Sequence, residues 1–72
     1  MMENIVAHRK NKSAKHPHAA VGELLYRIRW AGYKPSDDTW EPIIHVPRSH
    51  VLQYHKQKKL AIPSNIDRAI DG

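Results

Sequence analysis

Seven consecutive positions constrain this chain most. From Leu24 to Trp30 the residues Leu24, Tyr26, Ile28 and Trp30 alternate with Leu25, Arg27 and Arg29. A period of two puts the first four on one face of a β-strand, and we assign a strand to residues 23–30. Leu25 is the apolar exception on the opposite face. A half-buried strand must be paired and covered, so the rest of the chain is read for what pairs with it and what covers it. Residues 4–9 (Asn-Ile-Val-Ala-His-Arg) form a short apolar run and give a first strand. The polar, proline-containing stretch of residues 10–18 is a loop. Ala19, Ala20 and Val21 are expected to begin the return strand, with Gly22 as a bend. After Trp30, residues 31–38 are dense in turn formers, and residues 39–44 read as a third short strand with Pro42 at an edge or end.

Pro47 then opens a helix expected over residues 48–60, which hold no further proline or glycine. Its apolar face is Val51, Leu52, Tyr54 and His55, and Lys56, Lys58 and Lys59 near its end complement the helix dipole. Ile62-Pro63 stops it. Beyond lies either a helical turn capped by Ser64 with Asp67 three residues on, or a frayed tail. The order strand, strand, strand, helix gives an α+β class: a small curved three-stranded antiparallel sheet with a C-terminal helix packed on one face. Residues 4–60 form the module and residues 61–72 a tail or short helical turn. Tyr26 and Trp40 are assigned to the core, and Trp30 to a rim at the strand end.

Composition narrows the function. With 72 residues there is room for one core. The absence of cysteine excludes disulfides, Cys-ligated zinc and thiol catalysis. No apolar run reaches the roughly 18 residues of a membrane span, and the N-terminus lacks a signal-peptide stretch. Six histidines show no metal-ligand spacing, and Ser49-His50 are helix neighbours that do not face each other. No cofactor, no metal and no enzymatic activity are expected. The net charge is +5, distributed as +3 over residues 1–22, −1 over 23–47 and +3 over 48–72. Basic ends suit a polyanion, and an acidic middle suits a basic peptide.

The run Leu25-Tyr26-Arg27-Ile28-Arg29-Trp30-Ala31-Gly32-Tyr33, followed by Asp37-Asp38-Thr39-Trp40-Glu41-Pro42, resembles the chromodomain family. The spacing from Trp30 through Gly32-Tyr33 to Trp40-Glu41-Pro42 matches without a gap. Val51-Leu52-Gln53-Tyr54-His55 resembles the helix of chromodomains at the C-terminus of retrotransposon integrases. The resemblance implies a nuclear, chromatin-targeting module that receives a histone-tail peptide as an added strand, with a methylated lysine in a cage of three aromatic rings. Trp30 and Tyr33 match two cage walls, Asp37 an acidic position beside them, and Glu41 a peptide-contacting position. The first cage aromatic of the family falls at or before Met1, so these 72 residues lack it, and methyl-lysine binding is expected to be weak or altered. After Pro42 the family continues with acidic residues and an Asn; here the chain reads Ile43-Ile44-His45-Val46. Two alternatives stand beside this reading. One is DNA or RNA binding, with Lys10, Lys12, Lys15, Lys56, Lys58 and Lys59 on phosphates. The other is a protein–protein module. The isolated module is expected to be a monomer.

Overall fold

The computed structural model describes residues 1–71. Three strands, β1 (Met2–Lys10), β2 (Leu24–Trp30) and β3 (Thr39–Pro42), pair antiparallel in the order β1-β2-β3. One helix, α1 (Arg48–Lys58), follows. The expected α+β class and its single covering helix are present. β1 is longer than the apolar run at 4–9 and carries register shifts between Met2 and Asn4 and between Ile5 and Ala7. Such bulges bend a strand and increase its twist, which curves this sheet.

The alternation in β2 sets the two faces. Tyr26 and Ile28 are fully buried, with Ile5 opposite Ile28. They join Ile43, Val46, Val51, Tyr54 and Ala69 in one core beneath α1. Register puts Arg9, Leu25 and Pro42 in one row of the other face and Ala7, Arg27 and Trp40 in the next. Trp40 therefore leaves the core assigned to it. It faces away from the helix, half-buried, with the Arg9 guanidinium 4.2 Å over its ring.

Three further boundaries differ from the sequence reading. The return strand starts at Leu24, because residues 19–22 belong to the loop. That loop is built around Asn11, whose side-chain amide donates to the carbonyls of Ser13, Ala19 and Ala20 and whose Oδ1 accepts the Ser13 N–H. Gly22 turns the chain at φ +90° and donates to the Asn11 carbonyl. Ile43 and Ile44 leave β3 for a 3₁₀ turn (Ile43–His45), since Pro42 has no N–H with which to extend the ladder. That turn drives Ile43 and Val46 into the core. The helix ends at Lys58, two residues early, with Lys59 left-handed at φ 57° and the Leu60 N–H on the His55 carbonyl at 2.8 Å. Leu52 lies 37% exposed, outside the buried face of Val51, Tyr54 and His55.

Past the helix the chain forms a 3₁₀ turn (Ile66–Arg68) with Asn65, not Ser64, at its N-cap position. Ala69 enters the core, and the segment pairs with the helix entrance: Ile70 N–H to Val46 O at 2.9 Å and Arg48 N–H to Ile70 O at 2.7 Å. Glu23 joins loop, strand and tail. Its carboxylate accepts the Ala20 N–H and the Asn65 amide, and it lies 3.5 Å from Arg68. The Ala20 N–H is the main cause of its lowered pKa, which Asn65 and Arg68 reinforce.

A polar pair runs through the core. His55, 1% exposed, has Nδ1 at 2.9 Å from the Ala61 carbonyl and Nε2 at 2.8 Å from the Tyr26 hydroxyl. A carbonyl only accepts, so Nδ1 carries the proton and Nε2 accepts from Tyr26. Burial, reinforced by Tyr54, pushes the Tyr26 phenol up to about 12. Its folded value lies above the ~10 of an unfolded tyrosine. The neutral phenol's contribution is therefore fully present below pH ~10 and is lost as pH rises through about 12. Alkaline titration followed by circular dichroism is expected to show unfolding in that window. A Tyr26→Phe variant should show a smaller step, the remainder coming from Tyr54, whose phenol burial also pushes up.

Candidate functional site: an aromatic cleft at the end of β2

β2 delivers Trp30 to the rim of the sheet, and the turn that follows supplies the second ring. The Tyr33 N–H donates to the Trp30 carbonyl at 3.1 Å across a turn in which Gly32 sits at φ +81°. A side chain there would be strained, which accounts for glycine. Tyr33 is 67% exposed. The Trp30 indole is only half-buried, and its Nε1–H donates to Thr39 Oγ1 at 2.9 Å. That bond ties one edge of the ring to β3. The chain then makes a 3₁₀ turn (Pro35–Asp37) in which the Asp37 carboxylate accepts the Lys34 N–H at 3.1 Å.

Trp30, Tyr33 and Asp37 line one open cleft of about 380 Å³ together with Met1 and Thr39. Met1 reaches it because its carbonyl accepts the Ala31 N–H at 3.0 Å. Two aromatic rings, one carboxylate and an open mouth suit a cation too bulky or too methylated to be held by hydrogen bonds. Glu41 stands apart from these residues. It does not line the cleft, and its Oε1 accepts from His45 Nδ1 at 3.0 Å. His45 in turn meets the loop's His18 edge to face, with ring centroids 5.3 Å apart.

Asp38, the neighbour of Asp37, has a different task. Its side chain is 2% exposed and accepts from Arg29 Nε at 2.7 Å, Arg29 Nη2 at 2.9 Å and Arg27 Nε at 3.0 Å. The Arg29 hydrogen bonds, aided by the charge of Arg27, hold its carboxyl below the ordinary aspartate range. This clamp fixes the turn that carries Asp37 against β2.

The sequence reading grouped Trp30, Tyr33, Asp37 and Glu41; the first three line one cleft and Glu41 lies outside it. That reading missed Thr39 and Met1. Thr39 could have been found from pairing parity, since it lies opposite Ile28 and so on the face that carries Trp30. The six lysines proposed for phosphate contact fall into two sets. Lys10 and Lys12 border a separate cleft beside Arg9, with the exposed Lys15 further along the same loop. Lys56, Lys58 and Lys59 end the helix across the sheet. Among the described residues, no group of three or more His, Asp or Glu side chains could hold a metal ion. Among the same described residues, no helix is long and apolar enough to cross a membrane.

A curved three-stranded sheet with a packed C-terminal helix defines a small α+β module, with a candidate binding cleft of two aromatic rings at its rim. Residues 1–58 match the model of the Chromo (CHRromatin Organisation MOdifier) domain, and the chain belongs to that family. It is 45% identical over 40 residues (56% of this chain) to M-phase phosphoprotein 8 of Homo sapiens. It is 34% identical over 68 residues (86% of this chain) to the DNA (cytosine-5)-methyltransferase CMT2 of Oryza sativa subsp. japonica. It is 44% identical over 45 residues (62% of this chain) to the Chromodomain Y-like protein of Mus musculus. The matches span about 5–6% of the length of these relatives. No solved structure matches the chain at a significant level.

Proposed function

We propose that this module reads a lysine-methylated histone tail and tethers its parent protein to chromatin in the nucleus. The observation that carries the reading is the shared cleft of Trp30, Tyr33 and Asp37 at the open end of the sheet. A methylated ammonium keeps its charge but loses hydrogens to donate, so ring faces and a nearby carboxylate replace hydrogen-bond acceptors. Two rings rather than three leave one side of the cation to water, and binding is correspondingly weak. Glu41, held by His45, is proposed to meet the peptide outside the cleft. The module acts as a monomer, without catalysis of its own. The parent chain is proposed to be a retrotransposon-type integrase, on the resemblance of residues 51–55 alone. An upstream reading frame without an integrase catalytic core would remove that part.

An NMR titration with trimethyl-lysine and unmodified histone-tail peptides tests the reading. Shifts are expected at Trp30, Tyr33 and Asp37 with the methylated peptide only, and a folded Trp30→Ala variant should show none. Equal shifts with both peptides, or full binding by Trp30→Ala, would remove it.

A further inference from the structure

The sheet has a second usable face. α1 covers the Tyr26 side, and no helix covers the side that carries Arg9, Arg27, Arg29 and Trp40. Arg9 is exposed, and its guanidinium lies 4.2 Å over Trp40, reaching from β1 across to β3. That distance is within cation–π range, and Arg9 is exposed, so the pair is accessible from solvent. Beside it a cleft of about 670 Å³ is lined by Arg9, Lys10, Asn11, Lys12, Ser13 and Leu25, with no carboxylate. Arg27, 42% exposed at its side chain, adds a fourth cation across from Trp40. The neighbouring acids are engaged elsewhere: Asp38 is shared between Arg27 and Arg29, Glu3 acts on Arg29, and the Glu23 carboxylate is held by Ala20, Asn65 and Arg68.

We infer that this face binds a single-stranded nucleic acid, with Arg9, Lys12 and Arg27 on phosphates and one unpaired base stacked on the Arg9–Trp40 pair. Charge alone would also suit an acidic polypeptide. A flat guanidinium supported by an indole offers something a carboxylate does not use and a base does. A membrane surface fits less well, because none of the large exposed apolar side chains lies on a strand of this sheet. The helix lysines Lys56, Lys58 and Lys59 lie on the covered side and play no part. This surface is independent of the aromatic cleft, so it stands whether or not the cleft takes methyl-lysine.

Fluorescence anisotropy with a 12-nucleotide RNA or its DNA counterpart, a duplex of the same sequence and a poly-glutamate peptide tests the inference. Three phosphate contacts to a single strand predict a slope of log K on log salt of about −2. Arg9→Lys keeps the charge but not the plane, and is expected to weaken binding about five- to tenfold with the slope unchanged. Lys12→Glu should reduce the slope, and Lys56→Glu should change affinity much less. The inference is overturned by no binding to either single strand at 50 mM salt, by equal or tighter binding of duplex or poly-glutamate, or by Arg9→Lys behaving as wild type.

Discussion

Replacing Tyr26 by alanine is expected to leave the domain largely unfolded at 25 °C. Tyr26 is 0% exposed, sits at the centre of the sheet and meets Tyr54 edge to face, with ring centroids 6.2 Å apart. Truncating a buried aromatic costs about 3–5 kcal/mol. The variant also strands His55 Nε2, which Tyr26 alone satisfies, and an unpaired buried acceptor costs about 1–3 kcal/mol more. A domain of this size has a net stability of about 4–11 kcal/mol, so the loss is comparable with the whole. Tyr26→Phe keeps the ring and loses only the hydroxyl. It should stay folded, with a cost of about 1–3 kcal/mol and a melting point lower by roughly 4–8 °C per kcal/mol. Thermal melts of the two variants check both outcomes. A Tyr26→Ala variant that melts within a few degrees of wild type would mean that this core is not organised around the Tyr26–His55 pair.

The second large effect concerns affinity. Met1 lines the cleft opposite Trp30 and Tyr33 but is 97% exposed and offers no ring. Met1→Tyr, prepared by cleaving a removable leader, is expected to tighten trimethyl-lysine peptide binding about two- to thirtyfold. One added cation–π wall is worth about 0.5–2 kcal/mol, with the larger figure where the ring also excludes water. Met1→Leu adds comparable bulk without a π face and should gain much less. Calorimetry on the two variants separates the quadrupole from simple burial.

Much of the fold could be read because β2 states its own period. Leu24, Tyr26 and Ile28 declare a face, and Pro47 announces the helix one residue before it begins. The errors fall where register, rather than pattern, decides. β3 is too short to show a period, and a tryptophan in a small domain defaults to the core. Only its pairing with Arg27 reveals that Trp40 looks the other way. Ile43-Ile44 reads as strand by β-branching, but Pro42 removes the donor that would continue the ladder and a 3₁₀ turn follows. Asn11 gives no sequence signal at all. It is a polar residue in a polar loop, yet it is 4% exposed because three carbonyls converge on its amide. In the cleft, Trp30, Tyr33 and Asp37 were legible only through the resemblance to the chromodomain family. Thr39 was not, because its role is a hydrogen bond to one edge of an indole whose position depends on the same register.

The claim at the centre of this account is that the cleft selects a methylated ammonium by its charge against two ring faces. The most direct measurement compares two peptides on the Met1→Tyr variant by calorimetry. One carries trimethyl-lysine, and the other carries its neutral carbon isostere, with a tert-butyl group in place of the trimethylammonium. The two groups share shape and burial and differ in charge. The account predicts that the charged peptide binds at least fivefold tighter, and that Trp30→Ala abolishes the difference. Equal binding of the two peptides, or a preference for the neutral one, would contradict it.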